Sequence, residues 1–139
     1  MATVEWLENL GSDDVDSVGG KNASLGEMIA TLKDRGIRVP DGFALTAEAY
    51  RKFVDHNQLE GEIRDRLESI GDSGDKLAKA GKAVRRMFTS GTFPRNVDDD
   101  VRRAYRKLCE RYEVDEVDVA VRSSATAEDL PEASFAGQQ

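Results

Sequence analysis

Residues 18–36 read VGGKNASLGEMIATLKDRG and place a pair of glycines directly before a helix. Apolar residues then recur at spacings of three and four, which is typical of one face of an amphipathic helix: Leu25, Met28, Ile29 and Leu32. Asn22 and Ser24 are both good N-cap residues, so the pattern leaves the first helical residue open by about one turn. Gly36 is expected to end the helix.

The glycine pair and the lysine after it have the chemistry of an anion-binding turn. Gly19 and Gly20 allow backbone N–H groups to converge and a large anion to approach without side-chain clashes. A helix N-terminus adds further donors, and Lys21 adds a full charge, whose hydrogen bond to a phosphate is worth about 1.5–3 kcal/mol. The spacing is not that of a Walker A loop. The alternative is an ordinary turn with Lys21 merely exposed.

A second informative stretch is VRSSATAEDLPEASFAGQQ, residues 121–139. Residues 117–121 alternate and are rich in valine, so they predict a strand with Arg122 at its end. A guanidinium there can bind two phosphate oxygens at once. Residues 134–137, which are small apart from Phe135, are suited to a loop lying close over a ligand. The alternative is an edge strand whose arginine pairs with Glu128 or Asp129, followed by a surface loop.

The rest of the pattern predicts a helix-rich α+β fold with about five helices and a few short strands. Strand candidates are residues 1–10, where a turn is the alternative, and Phe43–Leu45, whereas residues 11–16 are predicted to be a polar loop. The four remaining helices are expected to begin near Thr46, Leu59, Leu77 and Asn96 or Asp98, each with its own apolar stripe.

Size and charge limit the classes of function that remain. The 139 residues correspond to one domain or a large piece of one. A formal net charge of −7 argues against non-specific binding of nucleic acid or of an anionic membrane. The single cysteine, Cys109, lies on a predicted helix and permits no disulfide within the chain. With no signal-peptide pattern and no long apolar stretch, a cytoplasmic location is expected.

Three segments in order carry a resemblance to a known family: VGGKNASLGEMI, then GIRVPDGFALTAEAY, then VRSSATAEDLPEASFAGQQ. They resemble the nucleotide-binding domain shared by phosphoenolpyruvate synthase, pyruvate phosphate dikinase and rifampicin phosphotransferase. Their sequences are most similar to those of the synthases. The resemblance runs from about Val15 to Gln139. It implies that residues 1–139 form the N-terminal part of an ATP-grasp-like domain, with ATP held between this lobe and a later one.

The same resemblance implies which residues contact ATP. Lys21 and Arg122 match the basic residues on the phosphates, and the small-residue segment that ends at Gln138 matches the loop over them. The full set of implied nucleotide-binding residues is Gly19, Gly20, Lys21, Arg122, Ser134, Phe135, Ala136, Gly137 and Gln138. In such enzymes ATP pyrophosphorylates a histidine on a swivelling domain, and the phosphohistidine then phosphorylates pyruvate, with magnesium required.

Other parts of that machinery are not matched in this sequence. His56 is the only histidine, lies outside the motifs and is interpreted as a surface residue at a helix end. No metal ligand is assigned here; the family's magnesium ligands and its pyruvate domain are expected beyond Gln139. The implied partners are therefore the remainder of the enzyme, with a homodimer as one arrangement, and the isolated chain is expected to be inactive. The alternatives are a lobe of an antibiotic kinase like rifampicin phosphotransferase, or a stand-alone interaction module.

Overall fold

A computed structural model describes residues 2–71, 74–127, 129–130 and 133–134. Its helices are α1 (Val15–Val18), α2 (Gly20–Asp34), α3 (Ala47–His56), α4 (Leu59–Glu68), α5 (Gly74–Ser90) and α6 (Arg95–Arg111). Its strands are β1 (Val4–Trp6), β2 (Phe43–Leu45), β3 (Asp129–Leu130) and β4 (Ala133–Ser134). The five predicted helices are all present, and the helix-rich α+β prediction is confirmed.

Strands β1 and β2 form an antiparallel pair, with Val4 opposite Leu45 and Trp6 opposite Phe43. Thr46 follows β2 and caps α3, because its hydroxyl oxygen accepts a hydrogen bond from the Ala49 amide at 3.3 Å. The same hydroxyl donates to the Ala2 carbonyl at 2.8 Å. The predicted cap is therefore confirmed, and it also ties the sheet to the helix.

The start of α2 differs from both predicted N-caps. Gly19 is the N-cap, so the helix begins at Gly20, and the loop predicted at residues 11–16 ends early because residues 15–18 form the short helix α1. The reason is the backbone of Gly19, whose φ of 83° and ψ of 159° turn the chain directly from one helix into the next. The Asn22 side chain instead donates to the Val18 carbonyl at 2.9 Å, while Ser24 is exposed on α2.

The core near the N-terminus is built from small and branched residues: Leu10, Val18, Ala23 and Ala44. Helix α2 approaches the preceding loop so closely that a Cβ on Gly26 would lie 2.3 Å from the Leu10 carbonyl oxygen. Farther along the chain, α6 buries Val97 completely and Leu108 almost completely. Met28, predicted to lie on the buried face of α2, is 45% exposed, so the buried stripe of that helix is narrower than the sequence pattern indicates.

The predicted strand at residues 117–121 is wrong. This segment has no regular structure, and Val121 is 93% exposed. Alternation favours a strand only when a neighbouring strand supplies hydrogen bonds, and none of the described residues pairs with this segment. A side chain holds it instead, because the Tyr105 hydroxyl on α6 donates to the Val117 carbonyl at 2.9 Å. Arg122 is consequently exposed on an irregular segment and does not lie at a strand end.

Two further expectations concern Cys109 and membrane-spanning helices. Cys109 is buried on α6, as the helix pattern predicts. Its thiol has no disulfide partner, consistent with its being the only cysteine in the sequence. In the described part of the chain, no helix combines the length and the hydropathy needed to cross a membrane.

Candidate functional site

The two chemically unusual sequence stretches meet in space at a site that we call the glycine junction, comprising Gly19, Gly20, Lys21, Ser123, Ser124 and Ala125. Three hydrogen bonds define it. The Lys21 amine donates to the Ser123 carbonyl at 3.0 Å, the Ser124 hydroxyl donates to the Val18 carbonyl at 3.0 Å, and the Gly20 amide donates to the Ala125 carbonyl at 3.4 Å. Folding thus joins positions more than 100 residues apart.

Gly19 is required at this junction for two separate reasons. Its φ of 83° with ψ of 159° lies in a region of backbone conformation that is essentially restricted to glycine. In addition, a Cβ at this position would lie 2.3 Å from the Ser124 Oγ and 3.0 Å from the Ala125 backbone. The absence of a side chain therefore lets the second segment pack directly on the turn.

Lys21 lies in the first turn of α2, where backbone N–H groups lack partners within the helix. The partial positive charge of this 15-residue helix and the full charge of the half-buried lysine therefore coincide. An ammonium group has three donors, and one of them is directed to the Ser123 carbonyl. The arrangement concentrates positive charge locally in a chain whose net charge is negative.

Some of the other predicted site residues lie in the part of the chain that the structure describes, and some lie outside it. Arg122 is exposed and immediately precedes Ser123, so Lys21 bonds to the residue that follows Arg122 in the chain. Ser134 lies in β4, whose backbone pairs antiparallel with β3, an arrangement that the sequence did not predict. The remaining predicted loop residues lie outside the described residues: Phe135, Ala136, Gly137 and Gln138. Glu128, the alternative partner of Arg122, also lies outside them.

A second long-range contact region, which the sequence analysis missed, surrounds Trp6. We call it the Trp6 cluster, and it comprises Trp6, Glu8, Lys33, Asp41, Phe43 and Arg111. The Arg111 guanidinium lies 3.9 Å from the centre of the Trp6 ring and pairs with both Glu8, at 3.0 Å, and Asp41. No local signal marks these residues as a group, because they lie at widely separated positions along the chain.

The electrostatics of the Trp6 cluster are balanced internally. The Lys33 amine donates to Glu8 at 2.9 Å, and this bond, together with the Arg111 guanidinium, lowers the pKa of Glu8 from its usual value near 4.5. The same bond raises the pKa of Lys33. These opposite charges stabilise each other, which is typical of ion pairs that hold secondary-structure elements together.

A groove of about 750 Å³ lies between α3 and α4, away from both regions. Its apolar wall includes Val54, Ile63 and Leu67, and its rim is charged. None of its lining residues belongs to the glycine junction. His56, at the C-terminal end of α3, is exposed and lies 3.4 Å from the Thr92 hydroxyl, so the prediction of a helix-end surface residue is confirmed.

Comparison with known proteins finds relatives whose similarity extends over nearly all of this chain. Residues 15–139 match the family described as pyruvate phosphate dikinase, AMP/ATP-binding domain. The phosphoenolpyruvate synthase of Aquifex aeolicus is 49% identical over 139 residues, covering 99% of this chain and 16% of that protein. The enzymes of the same name from Neisseria meningitidis and Deinococcus radiodurans are each 50% identical, over 98% and 100% of this chain. The chain spans only about one sixth of the length of these relatives.

Proposed function

The chain belongs to the pyruvate phosphate dikinase AMP/ATP-binding domain family, and from this premise we propose that it is the ATP-binding portion of a phosphoenolpyruvate synthase. In this proposal, residues 1–139 are the N-terminal part of an ATP-grasp-like domain, and the glycine junction holds the phosphates. The observation that carries it is the meeting of the Gly19–Lys21 turn with residues 123–125. The junction lies within residues 15–139, the range that the family matches, and this supports the proposal.

The proposed roles follow from the chemistry of each group. Gly19 and Gly20 let the triphosphate approach the backbone closely, and the N-terminus of α2 supplies N–H donors. Lys21 and Arg122 neutralise phosphate charge and stabilise the additional charge that develops during transfer. Neither residue acts as a base or as a nucleophile. The segment 134–138, which begins in β4, is proposed to contact the phosphates.

The proposed reaction of the whole protein converts ATP, pyruvate and water to phosphoenolpyruvate, AMP and phosphate through a phosphohistidine. His56 is not that histidine in this proposal, because it lies at the end of α3 and belongs to neither motif. Magnesium would neutralise the phosphates. Since the described residues contain no group of three or more His, Cys, Asp or Glu side chains suited to a metal ion, we assign no magnesium ligand among them.

The two alternative functions are less well supported. A lobe of an antibiotic kinase would share the fold, but the similar proteins described above are named phosphoenolpyruvate synthases. The alternative of a stand-alone interaction module gives no role to the basic, glycine-lined turn. It also predicts that the chain does not bind ATP. Titration with nucleotide therefore separates the module from the proposed function.

The test is an NMR titration of the ¹⁵N-labelled chain with ATP and, separately, with inorganic tripolyphosphate, a method that detects even millimolar binding. Both ligands are expected to shift the amide signals of Gly20 and Lys21 first. Replacing Lys21 by alanine should weaken ATP binding about tenfold or more, the equivalent of one charged hydrogen bond. Arg122→Ala is expected to act in the same direction.

The matched control is Lys82→Ala, which removes an exposed lysine from α5 and the same unit of charge. It should leave ATP binding within about twofold of the parent chain, as expected when only the distant field changes. Equal ATP binding by the parent chain and by Lys21→Ala, or a complete lack of shifts at the glycine junction, would contradict the proposed function.

A further inference from the structure

Two side chains converge on the carbonyl that begins the glycine turn. The Val18 carbonyl, at the end of α1, accepts a hydrogen bond from the Ser124 hydroxyl at 3.0 Å and another from the Asn22 amide group at 2.9 Å. Carbonyls at helix ends lack partners within the helix, and a carbonyl oxygen has two lone pairs to share. Both acceptor positions of this carbonyl are therefore used to hold the turn.

Ser124 also lies directly against Gly19. Its Oγ occupies the space that a Cβ at position 19 would take, at 2.3 Å from that position. The residues on either side of Ser124 provide the carbonyls that accept from Lys21 and Gly20. Among the described residues, this hydroxyl thus lies between the two other hydrogen bonds that join the segments.

We propose that Ser124 is a positioning residue, one that orients Lys21 toward the phosphates without contacting them. This inference rests on the proposed function, since it names how the same site is organised. Its hydroxyl is directed to the Val18 carbonyl and fixes the backbone of the turn. That backbone in turn determines where α2 begins and where the Lys21 amine lies. The hydroxyl therefore acts on ATP through the turn that it fixes, and mainly through Lys21, the charged group that this turn carries.

A double-mutant cycle on ATP affinity tests this dependence, using Ser124→Ala and Lys21→Ala separately and together. In the parent background, Ser124→Ala should weaken ATP binding about three- to tenfold, the usual effect of one lost hydrogen bond. In the Lys21→Ala background, the same substitution should weaken tripolyphosphate or ATP binding by less than about twofold. Equal effects in the two backgrounds would overturn the inference, because a general structural role would be additive.

A second readout does not depend on ligand. Ser124→Ala should accelerate hydrogen exchange of the Gly20 amide at least about fivefold, because the turn that presents this amide to Ala125 loses its anchor. Unchanged exchange at Gly20 would overturn the inference even if ATP binding fell. If Lys21→Ala has no effect on ATP binding, the proposed function fails and the proposed positioning of Lys21 fails with it. An additive cycle refutes only the role of Ser124.

The control is Ser69→Ala, which removes a hydroxyl that donates to the Arg66 carbonyl at 2.8 Å, at the exposed end of α4. It deletes the same kind of bond outside the junction and should change neither ATP affinity nor Gly20 exchange. If Ser124→Ala prevents folding, Ser124→Cys replaces it, because a thiol keeps the size of the side chain but donates weakly. Ser124→Cys should then show a smaller change in the same two readouts.

Discussion

The glycine junction and the Trp6 cluster each join residues about a hundred positions apart, but by opposite means. Lys21 and Ser123 are separated by 102 positions, and Glu8 and Arg111 by 103. The junction relies on backbone groups, glycines and one small hydroxyl. The cluster relies on an aromatic ring and on long charged side chains that pair with each other.

Under the proposed function, this difference separates the residues used for binding from those used for stability within one chain. Arg111 is surrounded by carboxylates and an aromatic ring, so its charge is used within the protein. At the junction, a lysine, a helix N-terminus and glycine backbone lie together without bulky side chains between the segments. We therefore expect substitutions at the junction to affect ATP binding and those in the cluster to affect stability alone.

The largest expected effect comes from Gly19→Ala, which would blur the comparison by making the junction a stability determinant as well. Alanine is disfavoured in the backbone conformation of Gly19, and its Cβ would clash with Ser124. The free energy of unfolding should therefore fall by about 3 kcal/mol or more. Urea unfolding followed by circular dichroism measures this loss. ATP binding should also be lost.

The control for that substitution is Gly36→Ala. Gly36 has a φ of 73°, but a Cβ there would have no atom within 4 Å, so only the backbone cost of about 1–2 kcal/mol applies. The difference between the two variants reports the contact with Ser124 together with the more restricted backbone of Gly19. Equal losses of stability would show that the close packing at Gly19 carries no energetic weight.

An intermediate effect is expected for Arg111→Ala, which sharpens the comparison from the other side. Removing the guanidinium leaves Glu8 and Asp41 without this partner, so the free energy of unfolding should fall by about 1–3 kcal/mol. ATP affinity, measured by the same NMR titration, should stay within about twofold of the parent value. A large drop in ATP affinity with intact folding would contradict the separation of roles.

Arg102→Ala is the matched control for the cluster. Arg102 pairs with Asp98 one helical turn away, at 2.9 Å, but its side chain is 69% exposed. Surface pairs of this kind contribute about 0.5 kcal/mol or less, so unfolding should hardly change. A loss as large as that of Arg111→Ala would mean that charge, and not the tertiary contact, determines the effect.

The smallest effect concerns acid. Because the pKa of Glu8 is lowered in the folded chain, its ion pairs stabilise the fold above pH 4.5, and this contribution is lost as the pH falls through the lowered value. Glu8→Gln should therefore reduce stability near neutral pH by less than about 1 kcal/mol and flatten its decline in acid. Urea unfolding at a series of pH values measures both.

Glu60→Gln provides the comparison for the acid prediction, because Glu60 pairs with Arg64 at 2.7 Å on the surface of α4, where its side chain is 70% exposed. Its pH profile of stability should follow that of the parent more closely than the profile of Glu8→Gln does. If the two glutamine variants have the same profile, the Trp6 cluster does not contribute the acid sensitivity.

Local physics explains which parts of the fold the sequence predicts correctly. Apolar spacing and the Thr46 cap act within a few residues, so the helices and the start of α3 could be read directly. The start of α2 could not, because capping preferences say nothing of a glycine held in its conformation by a remote segment. The strand predicted at residues 117–121 failed for a related reason, since a strand depends on a partner elsewhere.

The sequence by itself determined the helix-rich character, the family resemblance and the candidate residues Lys21 and Arg122. Only the tertiary structure decided that Ser123 receives the Lys21 amine, that Ser124 closes the turn against Gly19, and that Arg111 covers Trp6. The physical reason is range. Helix propensity and motif chemistry act between neighbours along the chain, whereas these contacts join residues about a hundred positions apart and exist only once the whole path of the backbone is set.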